Sequence, residues 1–323
     1  MDADFSPADL YLSSQSSLSW GEHVRDQLVA TIRKVSHCFG ASAQTPEEVH
    51  RARRLLKQAN SLALLLGDVV GPASADAARA LRGFRRELSD TRDFDVLIDS
   101  LARFAPSLEA GFVTILREKI ENRRRIGAAQ AIVARNFELG SELHRLSEEA
   151  ERWRVDPNAR ADLVRAMKRS YAGARRRGAR ALASKLPADL HDLRKALIVH
   201  RAQREAFEVV WLKLVHAWCS EAQNLRDALG AFNDLSVLAT FSSALEAPSA
   251  QGTLLLALIE RAQRDILAQA EPMFSRLFCA RPKDFANQMD TLLASPKKRP
   301  KAMADRVPGS TDVAPEHTSG SVS

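Results

Sequence analysis

His50 is followed by Arg53, Arg54 and Lys57 and then by Arg92-Asp93, and His191 is followed by Arg194 and Lys195 and then by Asn233-Asp234. Both intervals from histidine to the later aspartate are 43 residues, and the tails agree, Asp93-Phe94-Asp95-Val96-Leu97 against Asp234-Leu235-Ser236-Val237-Leu238. Two copies with one internal spacing describe two similar helical units presenting similar chemistry. That chemistry is cationic, so its partner is an anion. At i, i+3 and i+7, His50, Arg53 and Lys57 share one side of a helix, and successive turns set the donors about 5 Å apart. Arginine offers a planar fork to two oxygens of a phosphate or carboxylate, and lysine a point charge with three donors. His50 and His191 suit either of two tasks, donation to an anion or helix packing. Asp93 and Asp234 do not suit an anion site, and each is expected to cap a helix or pair with a nearby arginine.

These residues need helices to hold them. From His50 the apolar set Leu55, Leu56, Ala59, Leu62, Ala63 and Leu66 forms one stripe, with the cations nearly opposite. In the second copy the corresponding stripe is read as Phe207, Val210, Trp211, Leu214, Val215 and Trp218, away from His191, Arg194 and Arg201. Helix breaks are expected near Gly40 to Pro46, Gly67 to Ser74, Ser89 to Asp93, Pro106, Pro157, Pro187, Gly230 to Asp234 and Pro248. Thr45 before Pro46-Glu47-Glu48 is a helix start with an N-cap. Two further basic runs lie between and beside the motifs. Residues 160–204 hold thirteen Arg or Lys against three Asp, with Arg165, Lys168, Arg169, Arg176 and Arg180 on one helical face, and residues 117–125 include Arg117 and Arg124. An isolated run of this kind is usually a solvated helix face; beside two repeated cationic faces it extends an anion-binding surface.

With 323 residues, 45% hydrophobic content, few glycines and no alternating β-branched runs, the chain is expected to be all-α. Its net charge is +7, while residues 1–19 carry −3 and the segment from Ser295 carries +2, so the excess belongs to the body. A positive body favours nucleic acid, acidic membrane or polyphosphate. Cys38, Cys219 and Cys279 are scattered without a CxxC pair, which points away from a zinc site or disulfide framework and toward reduced thiols in a cytoplasm. No signal-peptide pattern or apolar run of membrane-spanning length occurs. A loose segment 1–18, a folded region 19–290 with repeats of about 19–150 and 151–290, and a disordered basic and polar tail over 291–323 are expected.

The sequence Val49-His50-Arg51-Ala52-Arg53-Arg54 with Lys57, then Leu81-Arg82, Arg85-Arg86, Leu88-Ser89 and Arg92-Asp93, resembles the CHAD domain, the conserved histidine α-helical domain. The second copy adds Ser170-Tyr171, Gly173, Arg175-Arg176, Leu190-His191, Arg194-Lys195, Ala228-Leu229-Gly230 and Asn233-Asp234. The resemblance spans about residues 20–285. It implies two four-helix bundles related by a pseudo-twofold axis, with inorganic polyphosphate bound in a basic groove between them and association with polyphosphate granules and their proteins. It implies binding without catalysis, cofactor or metal. The site residues it brings forward are His50, Arg53, Arg54, Lys57, Arg85, Arg117, Arg124, Arg165, Lys168, Arg169, Arg176, His191, Arg194, Lys195 and Arg201. Gln58, Asn60, Ile198 and Val199 stand where the family commonly has bases, with His200, Arg201 and Arg204 nearby as compensation, so the groove is expected to carry fewer charges.

Two other readings compete. Nucleic acid would satisfy the same cations, but aromatics are 6% of the chain and none alternates with the basic runs as a stacking platform would. Specific nucleic-acid recognition is therefore not expected. His191-Asp192 with His144 and Asp227 or Asp234 echoes a metal-dependent HD phosphohydrolase, yet adjacent residues diverge by about 100° on a helix, and no acidic cluster supports them.

Overall fold

The structure, a computed structural model, describes residues 19–39, 45–88, 92–128, 136–245 and 249–294. Every regular element among them is helical. The order is α1 (Trp20–His37), α2 (Pro46–Leu65), α3 (Gly67–Val70), α4 (Pro72–Glu87), α5 (Arg92–Ala102), α6 (Ala110–Ala128) and α7 (Asn136–Glu151), then α8 (Arg160–Ser184), α9 (Pro187–Glu205), α10 (Leu212–Leu245), α11 (Ala250–Leu277) and α12 (Pro282–Ala294).

Local chemistry fixes the helix starts. Ser19 and Glu22 form a capping box on α1, and Thr45 and Glu48 form another on α2, each satisfying two backbone donors reciprocally. Pro46 sits at the first helical position of α2 and Pro187 at that of α9, where a missing N–H costs nothing. α8 ends at Lys185 in the left-handed region, φ 54°, which turns the chain into α9 within two residues.

The 141 residues that separate His50 from His191 relate the two halves element by element. Moved by that interval, α1 falls on α8, α2 on α9, α4 and α5 together on α10, α6 on α11 and α7 on α12. Neighbours repeat as well: α1 packs on α2 and α7 as α8 packs on α9 and α12, α2 meets α4 as α9 meets α10, and α5 meets α6 as α10 meets α11. Across the halves α2 packs on α9, α5 on α10 and α3 on α8. The two motif helices are thus direct neighbours, tied by a hydrogen bond of 3.2 Å from Gln203 Nε2 to the Ser61 carbonyl.

Two expected boundaries are wrong. No break occurs at Gly230 to Asp234: α10 runs through them unbroken, with Leu229, Phe232 and Leu235 buried. Asp234 is therefore mid-helix and caps nothing, while the side chain of Asp93 lies outside the described residues. Conversely, the expected apolar stripe from Phe207 to Trp218 is not one helix. α9 stops at Glu205, a 3-10 turn covers Glu208–Val210, and α10 begins at Leu212. Phe207 turns into the core, 5.8 Å from the Trp20 ring, whereas Trp211 is left 49% exposed. The buried stripe of α9 is Leu190, Leu193 and Leu197, continued by His200, Gln203 and Arg204. Of the expected tail, residues 291–294 complete α12, and residues 295–323 lie outside the described residues, as do 1–18.

Candidate functional site

The core stripe of α2 points Ala52, Leu56 and Ala59 inward, and helical geometry then carries Arg53 and Lys57 to the side facing α4 and α9. Both are half-buried, while His50 and Arg54 stay exposed. α4 adds Arg85, half-buried, flanked by Arg82 and Arg86. α9 adds Arg194 and His191, and α10 adds Arg226. Gly230 gives Arg194 its close seat: a Cβ there would lie 3.3 Å from Arg194 Nη2 and 3.5 Å from its Nε, so the guanidinium rests on the bare backbone face of α10.

These cations sense one another. The Lys57 ammonium is pulled down to about 8, by burial first and then by Arg194, Arg53, Arg85 and Arg226, all positive. Burial and the neighbouring Arg53, Arg82 and Arg86 lower Arg85. His191 is held below its ordinary value by burial and by Lys195 and Arg194, against the opposing pull of Asp192. Four helices, two from each half, therefore aim their charge at one place. Such a concentration of like charge opposes folding and fits a surface shaped for an anion.

The other expected site residues fall elsewhere. Arg165 and Arg169 reach across to Asp68 on α3, at 3.3 and 2.6 Å, and hold that short helix to α8. Lys195 pairs with Asp192 at 2.7 Å, and Arg180 pairs with Asp189 at 2.9 Å. Arg201 pairs with Glu205 at 3.3 Å. Lys168 and Arg176 are exposed on α8, and Arg117 is exposed on α6, whose main neighbour is α5. The Arg124 side chain lies outside the described residues. Lys195 also lines a cleft between α8 and α9 of about 340 Å³, with Arg169, Arg177 and Asp192.

His200 and Arg204 do not compensate for Ile198 and Val199. His200 is wholly buried, donating to or accepting from Ser170 Oγ at 2.8 Å and ringed by Tyr171, Trp218 and Phe285, and burial pushes its imidazole down to about 3. Arg204, 6% exposed, lies with its guanidinium 4.5 Å from the Trp218 ring centre. Both belong to the core of the second half. Tyr171 belongs to the same core: it is buried, stacks on Phe285 at 4.3 Å and donates to the Ala280 carbonyl at 3.0 Å.

Arg226 was not among the residues the sequence singled out. It stands at Arg85 plus the 141-residue repeat interval, so the repeat itself carried the signal. It also pairs with the adjacent Asp227 at 2.7 Å. Among the described residues no three His, Cys, Asp or Glu side chains are grouped to hold a metal ion, and His144 pairs with Glu148 at 3.5 Å. No helix among them is long and apolar enough to cross a membrane.

The family model of the CHAD domain matches residues 26–243. Among solved structures, PptA from Streptomyces chartreusis is similar at a TM-score of 0.59 and 14% identity, with 81% of this chain and 100% of that one covered. The CHAD domain from the plant Ricinus communis is similar at a TM-score of 0.53 and 22% identity, with 88% and 96% covered. No curated protein sequence matches the chain.

Proposed function

Since this chain belongs to the CHAD domain family, we propose that it is a binding protein for inorganic polyphosphate, seated on the cluster of Arg53, Lys57, Arg85, Arg194 and Arg226. The observation that carries this reading is the convergence of cations from α2, α4, α9 and α10 around Lys57. Condensed phosphate has no base or sugar to read, so a concentration of guanidinium and ammonium donors supplies what recognition requires. His50, Arg54 and His191 flank the cluster on α2 and α9 and extend the positive surface along both helices. The role is binding without catalysis, in the cytoplasm at polyphosphate granules, with granule proteins as further partners.

The test is a polyphosphate titration at near-physiological salt, with duplex DNA as competitor, on wild type and on the combined Arg53→Ala, Lys57→Ala and Arg194→Ala variant. Each lost charge-assisted contact costs about 1.5–3 kcal/mol, so the triple variant is expected to bind at least about 1000-fold more weakly. Wild-type binding should resist DNA and weaken with salt by counterion release. Equal displacement by DNA, with no effect of the three substitutions, would make the cluster a general nucleic-acid surface and end the polyphosphate reading.

A further inference from the structure

The corners that follow the two motif helices are built in opposite ways. In the first half, α3 is held from several sides, by α2, α4 and α8 and by the pairs that Arg165 and Arg169 make with Asp68. Moved by the 141-residue repeat interval, Asp68, Val70 and Gly71 become Val209, Trp211 and Leu212. The second corner is thus more apolar than the first, yet it is not drawn inward. The 3-10 turn Glu208–Val210 packs chiefly on α10, and Val209, Trp211 and Leu212 stay 39 to 49% exposed. The other exposed large apolar side chains among the described residues, Leu64, Ile115, Leu186, Val237 and Leu254, stand apart from one another in the sequence. Single residues of that kind are ordinary on a surface, whereas a contiguous group marks a contact.

This corner is also firmly held. Phe207 anchors it against Trp20, and the Ala206 carbonyl accepts from Gln27 of α1 at 3.2 Å. Its acids are answered, Glu205 by Arg201 at 3.3 Å and Glu208 by His216 at 2.7 Å, while Lys213 on the first turn of α10 pairs with no described acid. An indole, two aliphatic side chains and an ammonium therefore project together.

We propose that this corner is a membrane-docking tip, which seats Val209, Trp211 and Leu212 in the interfacial layer of an anionic lipid surface. The docking stands independently of polyphosphate binding. Three side chains fall far short of the roughly 20–30 residues a side of a stable protein interface, but a few inserted side chains are enough for reversible attachment to lipid when charge assists them. Tryptophan suits the boundary, its ring in the acyl region and its N–H toward the headgroups. The charge is complementary: Lys213 adjoins the tip, and the chain carries a net +7. Attachment is peripheral, since no helix among the described residues is long and apolar enough to cross a membrane.

The test is co-sedimentation of the full chain with phosphatidylcholine vesicles containing about 30% phosphatidylglycerol, at near-physiological salt. Wild type is expected to sediment with these vesicles and much less with phosphatidylcholine alone. Trp211→Ser/Leu212→Ser should bind at least about tenfold more weakly, and Lys213→Gln about fivefold more weakly. Lipids brominated on their acyl chains should quench wild-type fluorescence, and Trp211→Phe, which keeps the tip apolar, should still bind while losing that quenching. Circular dichroism melts of these variants should match wild type, because the substituted side chains project from the fold. Absence of sedimentation overturns the tip. So does binding that survives Trp211→Ser/Leu212→Ser but is lost in the Arg53→Ala, Lys57→Ala and Arg194→Ala variant, which would assign the attraction to the cationic cluster. Other occupants would also show themselves. Self-association abolished by Trp211→Ser/Leu212→Ser makes the corner a contact between copies, and shielding of Trp211 from acrylamide in the monomer makes it a seat for another part of the chain. Either result overturns the membrane reading.

Discussion

The motif helices α2 and α9 occupy equivalent places in their halves, yet they solve the core differently. Moved by the repeat interval, Ala59, Leu62 and Ala63 of α2 become His200, Gln203 and Arg204 of α9. The first half closes over small aliphatic side chains, all buried. The second closes over a neutral imidazole and a caged guanidinium, roofed by Trp218, Phe285 and Tyr171. On the opposite face the pairs Arg53 with Arg194 and Arg85 with Arg226 remain matched. The comparison teaches that the two halves share their outward charge and not their inward packing. One helical frame can carry two cores because each needs only to fill its volume and satisfy its polar groups.

The largest way to break this comparison is to exchange the cores. Ala63→Arg would bury a cation in the first half with no aromatic cage, and is expected to cost more than about 4 kcal/mol in urea unfolding. Arg204→Met, similar in volume, should be neutral or stabilising. Next comes acid. The folded His200 resists the proton that the unfolded imidazole accepts near pH 6.5, so its contribution is whole above that pH and drains as pH falls toward 3. Unfolding free energy should decline by about 1.4 kcal/mol per pH unit over that window from this group alone, and His200→Gln should remove that part of the slope. Within the cationic faces, Arg85→Ala and Arg226→Ala should weaken polyphosphate binding by similar factors, about 10- to 100-fold each; a tenfold disparity in direct titrations would show that one half dominates. Ile198→Lys gives α9 the counterpart of Lys57 and is expected to tighten binding several-fold, measurable at low salt. The smallest effect belongs to Gly230→Ala, whose methyl would displace the Arg194 guanidinium by a few tenths of an ångström and weaken binding less than about fivefold.

Much of this was legible in the residues. The all-α class followed from composition and period, the α2 start from Thr45-Pro46-Glu47-Glu48, and the family from two copies of one motif. Three things were hidden, each for a physical reason. The corner between α9 and α10 contains no glycine or proline; it is made by Phe207 entering the core beside Trp20. Gly230 looked like a helix break because glycine usually is one, whereas here it clears space for an arginine on another helix. His200 and Arg204 looked like two more bases on a basic helix, and only tertiary packing shows that they face inward. Likewise Asp68 gave no sign that it would claim Arg165 and Arg169 from a helix about one hundred residues away.

The direct packing of α2 on α9 means that the crowded charges straddle the seam between the halves. Without a ligand their repulsion would act as a compressed spring across that seam, and a polyanion bound as proposed would act as a rivet through it. Ionic strength should then have opposite effects on the two states: added salt screens the spring and raises the melting temperature of the empty protein, while it loosens the rivet and lowers that of the complex.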